Sequence, residues 1–188
     1  MENMLNHNDL RKGTKFIYQS NPYEVLEYNL SFKGRGSSVM QVKIKNLISS
    51  NVVSKTFHPS DKFEEAEIKK IHLKFIYSNK EDFVFANKEQ KRITLKKDQI
   101  GIRSRFLKQN LEVEGMVFNE EIINIELPIK MDIKVKEAPP GIKGGRSEAG
   151  TKQVVLESGA IISVPLFISE GDMIEINTET GEYVKRVE

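Results

Sequence analysis

The sequence predicts an all-β chain of three consecutive small β-barrel domains, and three observations carry that prediction. Short runs of alternating apolar and polar residues recur along almost the whole length, with the period of two that a half-buried strand requires. Gly, Asn, Ser and Pro clusters punctuate those runs at turn spacing, and long stretches of helical period are hard to find. The runs also fall into three sets, each the size of a small barrel, with limits expected at 1–64, 65–129 and 130–188.

In the first set, Lys15 to Tyr18, a turn at Ser20-Asn21-Pro22, and Tyr23 to Tyr28 read as a hairpin. Eight small, polar and cationic residues, Ser31 to Ser38, then read as a protruding finger loop before the strand Val39 to Leu47. Gly34 and Gly36 flank Arg35 and can adopt positive φ, which places Arg35 at the apex of a sharp turn. Ser49-Ser50-Asn51 turns the chain into Val52 to Phe57, and His58-Pro59-Ser60-Asp61 ends the pairing because proline has no N–H to give a ladder.

In the second set, Ile68 to Tyr77 and Asp82 to Ala86 flank a turn at Ser78 to Glu81. Ile93-Thr94-Leu95 is a third strand, and a short helix fits within Lys97 to Asn110. Glu112 to Phe118, a turn at Asn119-Glu120, and Ile122 to Leu127 complete the set. Five strands with one short helix between the third and fourth is the layout of an OB-fold. The third set comprises Met131 to Val135, a Pro- and Gly-rich loop from Ala138 to Gly150, Val154 to Leu156, Ala160 to Leu166, Asp172 to Asn177, and Tyr183 to Val187. No residue-level repeat links the second and third sets, so a shared fold rests on layout alone. Phe16, Tyr18, Phe57, Phe75, Phe83 and Phe85 sit in strand patterns and read mostly as core, with one or two on an OB face able to stack on bases.

Charge is unevenly placed. Between Tyr28 and Ser60 stand five cations (Lys33, Arg35, Lys43, Lys45, Lys55) and no acid, although 27 Asp and Glu in 188 residues would place four or five in an average window of that length. An acid-free cationic surface attracts phosphate backbones. The net charge of +2 hides +5 over residues 1–130 and −3 over residues 131–188.

Several chemistries are excluded. With no Cys there is no disulfide framework, thiolate zinc site or thiol nucleophile. His7, His58 and His72 are dispersed, so no metal cage is legible. Gly141 to Arg146 lacks the Gly-Lys-Ser/Thr ending of a P-loop, and no Ser sits in a Gly-x-Ser-x-Gly elbow. The chain reads as a non-enzyme without cofactor or metal. No signal peptide is visible and no apolar run reaches the roughly 20 residues of a membrane span, so a cytoplasmic protein with no membrane partner is expected.

Specific strings then point to a family. Val42-Lys43-Ile44-Lys45-Asn46-Leu47, Lys55-Thr56-Phe57, Pro140-Gly141-Ile142-Lys143-Gly144, Leu156-Glu157-Ser158-Gly159-Ala160, Val164-Pro165-Leu166-Phe167-Ile168 and the ending Gly181 to Val187 resemble bacterial elongation factor P. Together with the finger and the three barrels, the resemblance covers essentially the whole chain. It implies an SH3/KOW-like barrel followed by two OB-folds in an L-shaped, tRNA-like arrangement. It further implies a monomer that binds the 70S ribosome between the P and E sites and promotes peptide bond formation at consecutive prolines. By the same resemblance the finger, with Lys33, Gly34 and Gly36 around Arg35, reaches the acceptor end of the P-site peptidyl-tRNA. Gly144, Gly145, Arg146, Tyr183 and Arg186 meet tRNA or ribosomal RNA on the anticodon side.

Two departures stand out. Many members carry a modified Lys at the tip and others a rhamnosylated Arg, so Arg35 implies either the arginine branch, with an arginine-modifying glycosyltransferase as partner, or no modification. Where members have Pro before the tip turn and Gly-Asp-Thr in the third-domain loop, this chain has Lys33 and Gly144-Gly145-Arg146. The elongation-factor-P-like paralogue and a generic OB-type RNA-binding protein are the alternatives. The Gly-Glu-Tyr-Val-Lys-Arg-Val ending favours elongation factor P over that paralogue.

Overall fold

The computed structural model describes residues 4–33, 37–140 and 150–187. Sixteen strands, with one single-turn helix and two 3₁₀ segments, make up its regular structure. They are β1 (Met4–Asn6), β2 (Lys15–Tyr18), β3 (Asn21–Lys33), β4 (Ser37–Asn46), β5 (Val52–Phe57) and β6 (Lys62–Glu64) in the first third. Then come β7 (Lys69–Asn79), β8 (Asp82–Ala86), β9 (Arg92–Lys96), α1 (Lys97–Ile100) with 3₁₀ turns over Gly101–Phe106, β10 (Glu112–Phe118) and β11 (Glu121–Glu126). The last third holds β12 (Lys130–Glu137), β13 (Thr151–Leu156), β14 (Ile161–Pro165), β15 (Met173–Asn177) and β16 (Tyr183–Val187).

The first unit is an antiparallel sheet in the order β2-β3-β4-β5, with the short ladder β1-β6 joined to it through a bridge between Phe16 and Glu65. Its core is aromatic: Phe16, Phe57 and Phe63 are buried and meet edge to face, with centroids 4.6 to 6.1 Å apart. The hairpin turn sits at Gln19-Ser20, not at Ser20-Asn21-Pro22. Both residues have positive φ, 50° and 62°, as a tight two-residue hairpin requires. Pro22, whose φ is fixed near −65°, could not serve there; it lies in β3 opposite Ile17, and its carbonyl accepts from the Leu47 N–H at 2.9 Å.

The central and C-terminal sheets have orders β11-β10-β7-β8-β9 and β14-β13-β12-β15-β16. Numbering each set of strands 1 to 5 gives the order 5-4-1-2-3 for both, the second read in reverse. The layout the sequence could only imply is thus a common topology. Burial explains which apolar residues hold it: the inward faces of the two sheets, including Leu73, Phe85, Ile125, Ile133, Leu156 and Ile174, merge into one continuous buried cluster. Phe75, Phe83 and Phe85 are core, as their strand pattern predicts. The expected helix between the third and fourth strands is there but is one α-turn continued as 3₁₀, placing Ile100 and Phe106 in that core.

Candidate nucleic-acid interface

The expected finger is a β-ladder more than a loop. β3 and β4 pair from Tyr23–Asn46 out to Lys33–Ser37, interrupted by a bulge at Leu26. Ser31, Phe32 and Ser38 therefore belong to strands, because pairing satisfies backbone groups that an eight-residue loop would leave to water. Gly34, Arg35 and Gly36 lie outside the described residues. Lys33 closes the ladder through its backbone.

Near the outer end, one pair from the last rung, the buried His7 ring approaches the Ser38 hydroxyl, with Nε2 and Oγ 3.2 Å apart, and fastens the 3₁₀ segment His7–Asp9 to β4. β2 pairs with β3 only from Asn21 to Glu24, so the outer part of β3 is an edge. Along that edge Tyr28, Leu30 and Phe32 are 49%, 38% and 77% exposed. These residues were not singled out in the sequence, although their spacing of two was visible there.

The other expected contacts are carried on a different sheet. Tyr183 begins β16, opposite Ile176, and is half-buried against the shared core, while Arg186 is exposed with Nη1 3.9 Å from Asp172 Oδ2. Gly144, Gly145 and Arg146 lie outside the described residues. The candidates thus form two groups, one on the first sheet and one on the C-terminal sheet. Among the described residues no group of three or more His, Asp or Glu is placed to hold a metal ion, and no helix is long and apolar enough to cross a membrane.

A buried polar joint fixes the first unit to the second. Asn124 on β11 is 1% exposed, and its amide nitrogen lies 3.1 Å from Leu47 O, 3.3 Å from Ile48 O, 3.1 Å from Ser50 Oγ and 2.7 Å from Gln99 O. Its carbonyl oxygen accepts from the Ile125 N–H at 2.8 Å. Ser50, held at φ 62°, donates to Gln99 O at 2.6 Å. Arg103 donates to Ile125 O at 2.7 Å and to Ser50 Oγ at 3.3 Å.

Leu47, Met116 and Ile123 add an apolar patch across the same junction. Beside it a cavity of about 410 Å³ is lined by Glu24, Lys45, Arg103, Glu126 and Glu179, drawn from all three units. Burial lowers the pKa of Lys45, and repulsion from Arg103 adds to that, against the pull of Glu179, Glu24 and Glu126. Burial likewise weakens the hold of Arg103 on its proton, opposed by Glu126 first.

The second and third units are tied by Lys108 and Glu157, 2.8 Å apart, by Arg105 donating to Ile161 O, and by Gly181, whose α-carbon faces Ile102 and Phe106. Gly181 has φ 77°, so a side chain there would meet both backbone strain and the Ile102 methyl. The central unit is therefore the keystone. It sets the direction of the finger through Asn124 and that of the C-terminal sheet through the shared core.

Similarity to known proteins follows the same three-part division. Residues 6–63 match the elongation factor P KOW-like domain, residues 68–125 its OB domain, and residues 131–186 its C-terminal domain. The elongation factor P of Desulfotalea psychrophila is 37% identical over 98% of this chain and 99% of its own length. That of Moorella thermoacetica is 36% identical over 97% and 100% respectively. Among solved structures, eukaryotic translation initiation factor 5A from Methanococcus jannaschii shares the fold with a TM-score of 0.50, at 15% identity, over 66% of this chain and 90% of that one. A KOW-like barrel followed by OB sheets, matched by all three family models and by relatives aligned end to end, establishes that the chain belongs to the elongation factor P family of translation elongation factors.

Proposed function

We propose that this chain binds the 70S ribosome between the P and E sites and promotes peptide bond formation at consecutive prolines by positioning the P-site peptidyl-tRNA. The observation that carries the reading is the β3–β4 finger. It is an extended ladder braced near its outer end by His7, set in a stretch of sequence with five cations and no acid, and its two strands flank Arg35 in the sequence. A cationic finger suits the phosphate-rich acceptor end of a tRNA. Arg35 is the contact and the modification site in this reading, with Lys33, Gly34 and Gly36 shaping its turn.

Domains at 1–64, 65–129 and 130–188 arranged as an L would let Gly144, Gly145, Arg146, Tyr183 and Arg186 meet RNA on the anticodon side. The chemistry stays with the ribosome. Proline is a constrained nucleophile, and holding the reacting groups near attack geometry removes several kcal/mol from such a barrier. The protein acts in the cytoplasm as a monomer, and an arginine-modifying glycosyltransferase is a further partner if Arg35 is modified.

The test is the rate of peptide bond formation on ribosomes programmed with a proline run, with and without the protein, purified both from its host and from a heterologous one. Acceleration at consecutive prolines and not at ordinary codons is expected, together with co-sedimentation with 70S ribosomes at moderate salt. Equal rates with and without both preparations overturn the reading.

A further inference from the structure

The apolar edge of the finger is unexplained by folding. In the ladder Phe32 lies opposite Ser38, Leu30 opposite Met40 and Tyr28 opposite Val42, so all three share the sheet face of the buried Met40 and Val42. They stand beyond the point where β2 stops pairing, on an unpaired edge, and Phe32 is 77% exposed. Scattered exposed apolar residues are ordinary. Three in succession on one face of an edge strand are an association hazard that proteins normally blunt with charge.

We propose that Phe32 is a stacking platform for an unpaired nucleobase at the single-stranded end of an RNA, with Tyr28 holding a second base farther along the strand. The proposal rests on the tRNA-positioning reading above and names a contact within it. Charge complementarity selects nucleic acid as the occupant. The sequence from Tyr28 to Ser60 has five cations and no acid. Lys43 and Lys45 are matched by Glu27 and Glu24 across the inner ladder, whereas Lys55, opposite Val42, lines the same hollow as Tyr28 and offers a phosphate a cation beside that ring.

An aromatic face stacks on any base, and alternating cations and aromatics are the usual means of holding single strands. Phe32 and Tyr28, four residues apart, are about 13 Å apart along the strand and so address separate nucleotides. The rings need not be ordered at the moment of binding, because the ladder and the His7–Ser38 contact already fix their backbone.

The chain has no Trp, so Phe32→Trp introduces a single indole at the platform. Its emission is titrated with free tRNA carrying its unpaired 3′ nucleotides, with the same tRNA trimmed of them, and with a blunt RNA duplex. Quenching by the first alone is expected; equal responses to all three, or none, overturn the platform.

In parallel, ribosome affinity is measured for the parent, Phe32→Tyr and Phe32→Leu, with a melting curve for each. The ring-keeping variant should match the parent and the leucine variant should bind about tenfold more weakly, as expected for loss of one stacked base. Affinities within twofold for all three overturn the platform while leaving the ribosome reading intact. A parent that fails to bind ribosomes overturns that reading instead, and the tRNA titration then decides the platform alone. A parent dimer that Phe32→Leu converts to monomer would show the edge to be a self-association surface and would also overturn the proposal.

Discussion

Replacing Asn124 by Leu should loosen the first barrel from the rest of the molecule. Leucine has the same branched four-atom outline and is the bulkier of the two, so no cavity opens and the polar loss is the main cost. The amide has two N–H hydrogens shared among four acceptors at 2.7 to 3.3 Å. Two of those acceptors, Ser50 Oγ and Gln99 O, keep each other at 2.6 Å when Asn124 is gone. The Leu47 and Ile48 carbonyls lose that donor, and the Ile125 N–H loses its side-chain acceptor.

At about 1–3 kcal/mol for each buried group left unmatched, these three groups come to roughly 3–9 kcal/mol. The lower half of that range is expected, because Ile48 lies at the rim of the joint where water can reach. Such a loss is a large share of the about 5–15 kcal/mol that holds a typical domain. Urea unfolding followed by circular dichroism measures it, and limited proteolysis near residues 47–51 and 64–68 reports whether the junction opens first. Ser50→Ala shares the same network, so the double variant should depart from additivity by about 0.5–3 kcal/mol. A loss below about 1 kcal/mol, with additive single variants, would show that the joint is ornamental and that the apolar patch around Leu47 and Met116 alone orients the finger.

Two further outcomes follow from the same geometry. A Cβ on Gly115 would stand 2.6 Å from Leu73 Cδ1 and 3.1 Å from Ile71 Cγ1, and Leu73 is locked in the core. Gly115→Ala should therefore cost about 1–3 kcal/mol by overpacking, and Leu73→Val in the same chain should recover part of it in a melting experiment. At the other junction burial raises the Glu157 pKa, but hydrogen bonds from Lys108 and from the Lys134 N–H outweigh it and leave it below 4.5. A depressed carboxyl contributes stability above its unfolded pKa and loses it as pH falls through the folded one. Lys108→Gln should thus melt slightly lower than the parent near neutral pH, and the gap should close as pH drops below about 4.5. A gap that persists at low pH would remove the ion pair as its cause.

The strands were legible because a sheet with one covered face writes a period of two into the chain, as in Val39 to Lys45 or Ile122 to Leu127. The 5-4-1-2-3 order was not, because strand order depends on which faces merge and not on any single strand's pattern. The short β1–β6 ladder escaped notice because three polar-flanked residues leave no periodic signal. Turn position followed φ and not composition, so the proline of Ser20-Asn21-Pro22 misplaced the first hairpin by one residue.

At the candidate site, Arg35 stood out through its glycines and the missing acids. The joint did not, because Asn124 and Ser50 are 74 residues apart and a buried asparagine looks like any other in sequence. The exposed edge of Tyr28, Leu30 and Phe32 was hidden for the opposite reason. An apolar alternation reads the same whether a neighbour covers it or stops short, and only the early end of β2 reveals which.

Arg35 is where the account is most directly tested. Arg35 stands between Gly34 and Gly36 in the sequence, and a residue at the tip of a finger would have no packing duty, so Arg35→Ala should change stability by less than about 0.5 kcal/mol. Arg35→Lys keeps the charge but loses the planar five-donor fork and any arginine-specific sugar. The measurement is rescue of a proline-run reporter in cells lacking the factor, with a melting curve for each purified variant. Both variants should melt like the parent and both should fail to restore full reporter output. If Arg35→Ala restores output as well as the parent does, the finger is only a turn between two strands, and the positioning mechanism built on it is wrong.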